Sequence, residues 1–266
     1  MALPDKAALV RVPFTTVDGR IYVEARVNGT GPFRFGVDTG ASGMGRADAS
    51  LARELQLPAD GSAQSTDGLR TSDVDQVRIG TLEIGRLVRR NIAVISRDYR
   101  SRLRPEAMFA GIFGREFFAG GLLVIDYPNR TLSFTRARGL RPEMAGAVPY
   151  ERAFRVPVRI NGITATGNLD TGANVSFVMP KAFYQQISRE PLLSGPAGDL
   201  MNSKIQTERG HLGGPILIGQ ARLDGGEVRA SEQFPELLIG ALALQKHAIL
   251  IDQRTRLVAL CTARRR

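Results

Sequence analysis

The chain has 266 residues, and its 36 lysine and arginine residues against 26 aspartate and glutamate residues give a formal net charge of +10. A composition of 43% hydrophobic and 23% charged residues excludes a disordered chain, a collagen and a coiled coil. No apolar run reaches the roughly 18 residues of a membrane-spanning helix. A single cysteine excludes an internal disulfide framework.

The predicted elements are mostly short strands. Residues 20–27 alternate polar and apolar side chains, as a half-buried strand does. Asp48 can cap a short helix over residues 49–55, and Pro180 can start another that runs to Ile187. Further strands are expected over residues 122–125, 154–160 and 248–251. Helix is the minority, so the pattern predicts an all-β fold.

All but four of the 36 basic residues are arginine, and they are scattered through every segment. No aromatic stacking motif accompanies them, so we do not expect a nucleic-acid partner. Two histidines and one cysteine leave little for a metal centre. We therefore expect no metal and no cofactor.

Four landmarks of the sequence occur twice, in the same order. The pairs are 27–29 with 160–162, 35–41 with 167–173, 111–114 with 237–240, and 123–126 with 249–252, at offsets of 133, 132, 126 and 126 residues. Such a series predicts two copies of one unit. Residues 137–149 are rich in Gly, Pro and Arg and are expected to link a lobe of residues 1–136 to a lobe of residues 150–266.

The second landmark contains the triplet Asp-Thr-Gly in each half. Two copies of a unit can fold face to face about a pseudo-two-fold axis, which would bring Asp38 and Asp170 together. Two adjacent carboxyl groups share one proton, so one can act as general base and the other as general acid. A water between them could then attack a peptide carbonyl without a covalent intermediate. A turn without catalytic role is the alternative reading of the triplet.

An apolar residue before Asp-Thr-Gly-Ala, with an apolar-apolar-Gly strand about seventy residues later, resembles the retropepsin-like aspartic proteases. The chain looks like a bacterial-type tandem of two retropepsin-like units. The resemblance implies the acid-protease fold: two homologous lobes, each a β-barrel or sandwich of the six-stranded type, related by a pseudo-two-fold axis and with few short helices. It implies an aspartic endopeptidase that hydrolyses peptides or proteins and needs no cofactor.

The resemblance also assigns roles to residues of the two motifs. Asp38 and Asp170 match the catalytic aspartates of the family. The loop-supporting positions match Thr39, Gly40, Ala41, Thr171, Gly172 and Ala173. The strands that brace the loops match residues 112–114 and 238–240, and each would be followed by a short helix, over residues 115–118 and 241–244.

The family covers its substrate with a hairpin flap, and residues 62–74 fit this element in the first half. Asp67-Gly68 is a two-residue hairpin turn signal. The expected flap and substrate-binding residues are Thr66, Asp67, Gly68 and Leu69. The corresponding residues 195–207 of the second half contain no clear turn pair.

Pepsins place a hydroxyl side chain after Asp-Thr-Gly that hydrogen-bonds a catalytic carboxylate. Here both positions are alanine, Ala41 and Ala173. A donor to the ionised form lowers a carboxyl pKa, so its loss predicts a pH optimum less acidic than that of pepsins, about pH 4–6.

Two further hypotheses remain beside an intrachain protease. One is a non-catalytic peptide-binding module on the same fold, and the other is a homodimeric protease that pairs equivalent lobes between chains. We expect a monomer with an internal pseudo-dimer. We also expect an exported, periplasmic protein whose leader is absent from this chain, with a cytoplasmic location left open.

Overall fold

The computed structural model describes residues 8–262. Residues 1–7 of the predicted first lobe and residues 263–266 of the predicted second lobe lie outside the described residues. The strands are β1 (Ala8–Pro13), β2 (Thr15–Val17), β3 (Arg20–Val27), β4 (Thr30–Val37), β5 (Gly45–Asp48), β6 (Ala59–Thr66), β7 (Thr71–Ile84), β8 (Leu87–Arg97), β9 (Gly111–Phe113), β10 (Leu122–Asp126), β11 (Thr131–Thr135), β12 (Ala147–Pro149), β13 (Arg155–Ile160), β14 (Ile163–Asp170), β15 (Phe177–Pro180), β16 (Leu193–Ser194), β17 (Gly198–Asp199), β18 (Lys204–Ile205), β19 (Glu208–Leu212), β20 (Ile216–Ile218), β21 (Ala221–Leu223), β22 (Gly226–Ser231), β23 (Leu237–Gly240), β24 (His247–Asp252) and β25 (Leu257–Thr262). The helices are α1 (Ala49–Glu54), α2 (Lys181–Ile187), α3 (Ala241–Leu244) and three 3-10 turns at Arg100–Arg102, Pro105–Ala107 and Arg115–Phe118.

The elements confirm the all-β prediction, and local chemistry explains their positions. In β3, Ala25 and Val27 are buried whereas Glu24 and Arg26 point outward, which is the alternation of a half-buried strand. The Asp48 side chain accepts a hydrogen bond from the Ser50 N–H, so helix α1 begins where its cap was predicted. The remaining strands and helices named above also lie where the pattern placed them, within one or two residues.

Three large sheets organise the described residues, beside a two-stranded sheet of β17 and β18. The first half forms an eight-stranded sheet in the order β2-β3-β4-β9-β5-β8-β7-β6. The second half forms a nine-stranded sheet in the order β16-β19-β22-β15-β23-β14-β13-β20-β21. A six-stranded sheet, β1-β11-β10-β24-β25-β12, takes strands from both halves. The two larger sheets exceed the expected six-stranded type because long hairpins and short edge strands extend them.

The shared sheet shows how the two halves are related. Strands β10 and β24 are the two copies of one landmark, and they pair antiparallel with Val124 opposite Leu250. These two residues are equivalent in the repeat, since both offsets in this part of the sequence are 126. An approximate two-fold axis therefore passes between them. Strand β12, within the segment expected to be a linker, pairs with β25 at the edge of this sheet.

Candidate active site

Each Asp-Thr-Gly triplet lies at the carboxyl end of a strand. Asp38 follows β4 and Asp170 ends β14. Strand β4 runs parallel to β9, and β14 runs parallel to β23. A residue just after the second strand of each pair is hydrogen-bonded to the loop. The Arg115 N–H donates to the Ala41 carbonyl at 3.0 Å, and the Ala241 N–H donates to the Ala173 carbonyl at 2.8 Å. The two loops therefore have the same backbone support.

Two threonines bind the loops to one another. The Thr39 N–H donates to Thr171 Oγ1 at 3.1 Å, and the Thr171 N–H donates to Thr39 Oγ1 at 3.0 Å. Each hydroxyl then donates across the axis, Thr39 to the Leu169 carbonyl at 2.9 Å and Thr171 to the Val37 carbonyl at 2.8 Å. Both side chains are buried, where hydrogen bonds are costly to lose. This reciprocal set fixes the distance between the loops.

Two glycines bring the carboxyl groups together. The Gly40 N–H donates to Asp38 Oδ1 at 2.8 Å, and the Gly172 N–H donates to Asp170 Oδ1 at 2.8 Å. A Cβ on Gly40 would lie 2.5 Å from Asp170 Oδ2, and one on Gly172 would overlap the Asp38 carboxyl group. Only glycine allows each loop to approach the opposite aspartate this closely.

The environment favours a protonated Asp170. Burial raises the pKa of this carboxyl group well above its usual range, and the neighbouring Asp38 charge raises it further. The Gly172 N–H works in the opposite direction, because it stabilises the charged form, but it is the weaker influence. A pair of this kind retains one proton at a pH where isolated carboxyl groups would both be ionised.

The two loops differ in their side-chain support. Arg46 is 9% exposed, and its Nη1 donates to the Ser42 carbonyl at 2.6 Å and to the Gly45 carbonyl at 3.0 Å. Arg115 Nη1 donates to the Gly40 carbonyl at 3.1 Å. The first loop is thus held by two guanidinium groups, a support that the sequence analysis did not anticipate.

A cleft of about 1660 Å³ opens in front of the two carboxyl groups. On the side of the first half, Tyr22, Tyr99, Phe109 and Ile112 form an aromatic wall. The hydroxyl groups of Tyr22 and Tyr99 are buried and bond to no atom of residues 8–262. On the side of the second half, Val175, Val178, Ile205, Phe234 and Leu238 form a mostly aliphatic surface that includes the floor of the cleft. The two sides therefore offer different surfaces to a bound chain.

Two hairpins cover the cleft. The first consists of β6 and β7, as expected for the flap, but its turn is one residue further on: the Asp67 N–H donates to the Arg70 carbonyl, which places Gly68 and Leu69 at the tip. Gly68 has a φ of +90°, which explains the glycine. The second hairpin, β17 and β18, is closed by a bond from the Leu200 N–H to the Ser203 carbonyl. The sequence contained no turn pair that would have revealed it.

The tips of the two hairpins are joined. The Asn202 N–H and the Ser203 hydroxyl both donate to Asp67 Oδ2 at 2.7 Å. Asn202 Nδ2 donates to the Ser65 carbonyl at 2.7 Å, while Arg97 donates to Asn202 Oδ1 at 2.8 Å. The hydrogen bonds lower the pKa of Asp67, although burial opposes them. We call this contact the latch.

The four predicted flap residues do not line the cleft. Thr66, Asp67, Gly68 and Leu69 form the turn and the latch, whereas the flap residues that line the cleft are Arg70, Thr71 and Ser72. Strand periodicity alone could not show which side of the turn faces inward. Among the described residues, no group of three His, Cys, Asp or Glu side chains could hold a metal ion. No helix within residues 8–262 is long and apolar enough to cross a membrane.

The all-β fold with its paired Asp-Thr-Gly loops is consistent with the acid-protease fold. Residues 23–117 match the family model of aspartyl proteases, and the match runs from β3 through the first loop and the flap to the turn at residues 115–118. This supports an aspartyl protease of the retropepsin-like kind and, more generally, a hydrolase that acts on peptide bonds. No curated protein matches the chain.

Proposed function

We propose that the protein is an aspartic endopeptidase whose active site is shared by two lobes of one chain. The observation that carries the proposal is the contact between Asp38 and Asp170, each held by the N–H of its own glycine and each packed against the glycine of the other loop. A pair of carboxyl groups that share one proton is suited to acid–base chemistry on a peptide bond.

In the proposed reaction a water molecule binds between the two carboxyl groups. The ionised carboxylate takes a proton from the water as its oxygen attacks the peptide carbonyl carbon, and the protonated partner donates to the carbonyl oxygen. The raised pKa of Asp170 makes it the proton donor and Asp38 the base in this first step. In the second step the amine nitrogen takes the proton that Asp38 had accepted and the C–N bond breaks, while one hydroxyl group of the tetrahedral diol returns a proton to Asp170, which leaves a carboxylic acid and an amine.

The same proposal includes the organisation of the molecule. The two lobes, residues 1–136 and 150–266, act as a pseudo-dimer within a monomer, and the loop residues from Thr39 to Ala41 and from Thr171 to Ala173 position the aspartates. Peptides or proteins are the substrates, and an extended segment would lie in the cleft under the two hairpins. The location outside the cytoplasm remains part of the proposal.

Peptide-library cleavage at pH 3–8 tests the chemistry. Wild type should cut internal bonds, and Asp38→Asn and Asp170→Asn should each lose activity by about 10²–10⁴-fold or more. Asp224→Asn is the matched control, because this exposed carboxylate pairs with Lys246 outside the cleft. A wild type that cuts no peptide at any pH would refute the endopeptidase and favour the peptide-binding module.

A mixing experiment tests whether the aspartate pair forms within one chain or between two chains. If the dyad is formed within one chain, a mixture of the Asp38→Asn and Asp170→Asn variants stays inactive. Recovery of activity in the mixture would show that the Asp38 loop of one chain can pair with the Asp170 loop of another. The homodimeric protease that pairs equivalent lobes would instead leave one of the single variants active by itself, because its intact loop would pair with the same loop of a second chain.

A further inference from the structure

The cleft carries an excess of positive charge. Its basic lining residues are Arg20, Arg70, Arg97, Lys204 and Arg229. Of the lining residues that the structure describes, Asp98 is the one acidic side chain besides Asp38 and Asp170. Such a surface attracts anionic groups into a low-dielectric space.

A row of side chains crosses the floor of the cleft in the second half. Leu238 of β23 lies opposite Val178 of β15, Val178 lies beside Arg229 of β22, and Arg229 lies opposite Arg209 of β19. Residues that pair directly project from the same face of a sheet. Leu238, Val178 and Arg229 all line the cleft, so this face of the sheet is its floor.

The two arginines of this row are neighbours of like charge. Directly opposed like charges destabilise an antiparallel pair. The side chain of Arg229 is 29% exposed and forms a long ion pair with Glu227, with 3.7 Å between Nε and Oε1. Its buried Nε makes no hydrogen bond to residues 8–262. Glu227 is itself 53% exposed. Arg229 therefore has hydrogen-bonding capacity left for an anion.

The first half has no counterpart of this pair. In the equivalent row Arg46 pairs with Ile95, and Ile95 pairs with Gln76. Val178 thus corresponds to Arg46, Arg229 to Ile95, and Arg209 to Gln76. Arg46 uses its guanidinium group on loop carbonyls and does not line the cleft. The equivalent row of the first half therefore contributes no cation to the lining of the cleft.

We propose that Arg229, with Arg209 beside it, forms a subsite for an acidic side chain of the peptide substrate. Guanidinium and carboxylate groups match in geometry and form two parallel hydrogen bonds. Strand β22 is three strands from β14, or about 14 Å at the usual strand spacing. An extended peptide advances about 3.3 Å per residue, so the acidic residue lies within about four residues of the cleaved bond. This inference rests on the proposed function and names its substrate class.

Paired peptides test the subsite. Peptides that differ only by Glu or Gln at one position, scanned over four residues on each side of the cleaved bond, are compared by kcat/KM. At one position on one side, wild type should prefer Glu by roughly tenfold to a hundredfold. Arg229→Gln should bring this ratio close to one, Arg229→Lys should keep part of it, and Arg229→Glu should favour Lys at the same position. Thermal unfolding of each variant checks that the fold is kept.

Arg222→Gln is the control, because it removes the same charge from an exposed position of strand β21 in the same sheet. This variant should keep the wild-type ratio. An unchanged Glu-to-Gln ratio in Arg229→Gln, or a wild type that shows no Glu preference at any scanned position, would overturn the subsite.

A binding measurement distinguishes failure of the subsite from failure of the proposed function. The same fluorescent peptides are titrated by anisotropy into Asp170→Asn, with and without Arg229→Gln. A Glu preference in binding that depends on Arg229 supports the subsite even if wild type cuts nothing. Peptides that bind equally well with Glu or Gln overturn the subsite while cleavage by wild type still supports the endopeptidase, and a complete lack of both binding and cleavage overturns both.

Discussion

The two halves of the molecule share the backbone of the Asp-Thr-Gly loops and differ in the side chains around it. The threonine contacts, the glycine contacts and the carbonyl bonds at Ala41 and Ala173 have close counterparts in both halves. Yet two guanidinium groups hold the first loop, whereas Val178 and Ala241 stand at the equivalent positions of the second. Symmetry is kept where two carboxyl groups must meet and is lost where it is not needed.

The two hairpins over the cleft also differ between the halves. The first is built from strands of 8 and 14 residues, and the second from two strands of 2 residues each. They meet through a latch in which Asp67 is an acceptor on one side and Asn202 a donor on the other. A peptide has two different ends, so a cleft with different walls, roofs and floors can bind it in one direction.

The largest effect on stability is expected at Thr39 and Thr171, the two threonines that join the loops. Thr39→Val and Thr171→Val keep the shape but each leaves a buried N–H and a buried carbonyl without its partner, so each should cost about 2–5 kcal/mol in the free energy of unfolding. Chemical denaturation measures both values. Because the contacts are reciprocal, the two losses should be similar. A large loss for one variant and none for the other would mean that the loops are not equivalent.

The second effect on stability is expected at the aspartate pair, and its direction follows from the raised pKa of Asp170. An acid whose pKa is raised in the folded state binds more protons folded than unfolded, so its contribution to stability falls as pH rises from its ordinary value through the raised one. Asp170→Asn should therefore raise the Tm at pH 7, by about 2–4 °C per kcal/mol gained, and should have little effect at pH 4. The exposed control Asp224→Asn should give no gain at pH 7. An equal gain at both pH values would contradict the pKa argument.

The smallest effect on stability is expected at the latch. Asn202→Ala removes bonds between two partly exposed hairpins and should cost at most about 1 kcal/mol. It should nevertheless speed amide hydrogen exchange in residues 65–72 and 198–205, because their opening becomes easier. Lys246→Ala, which removes an exposed ion pair elsewhere, should leave exchange in both hairpins as in wild type. If hydrogen exchange in both hairpins is also unchanged in Asn202→Ala, the latch does not hold the two hairpins together.

Sequence pattern was informative wherever a local rule applied. Strand alternation over residues 20–27, the Asp48 cap and the proline before α2 depend on neighbours along the chain, so they could be read directly. The repeat added one long-range fact, since equivalent residues near a two-fold axis must meet. Symmetry alone therefore predicts that Asp38 and Asp170 lie in one site.

The rest depended on contacts between distant residues. Nothing in the local sequence distinguishes Arg46, which is bound to loop carbonyls, from Arg229, which lines the cleft. The pairing of Asn202 with Asp67 joins residues 135 positions apart. The elements, the repeat and the candidate dyad could be predicted from the amino-acid pattern, because they follow from local propensity and symmetry. Which arginines serve the fold, which of them face the cleft and how the hairpins close depend on which strands become neighbours, and this is visible only in the folded chain.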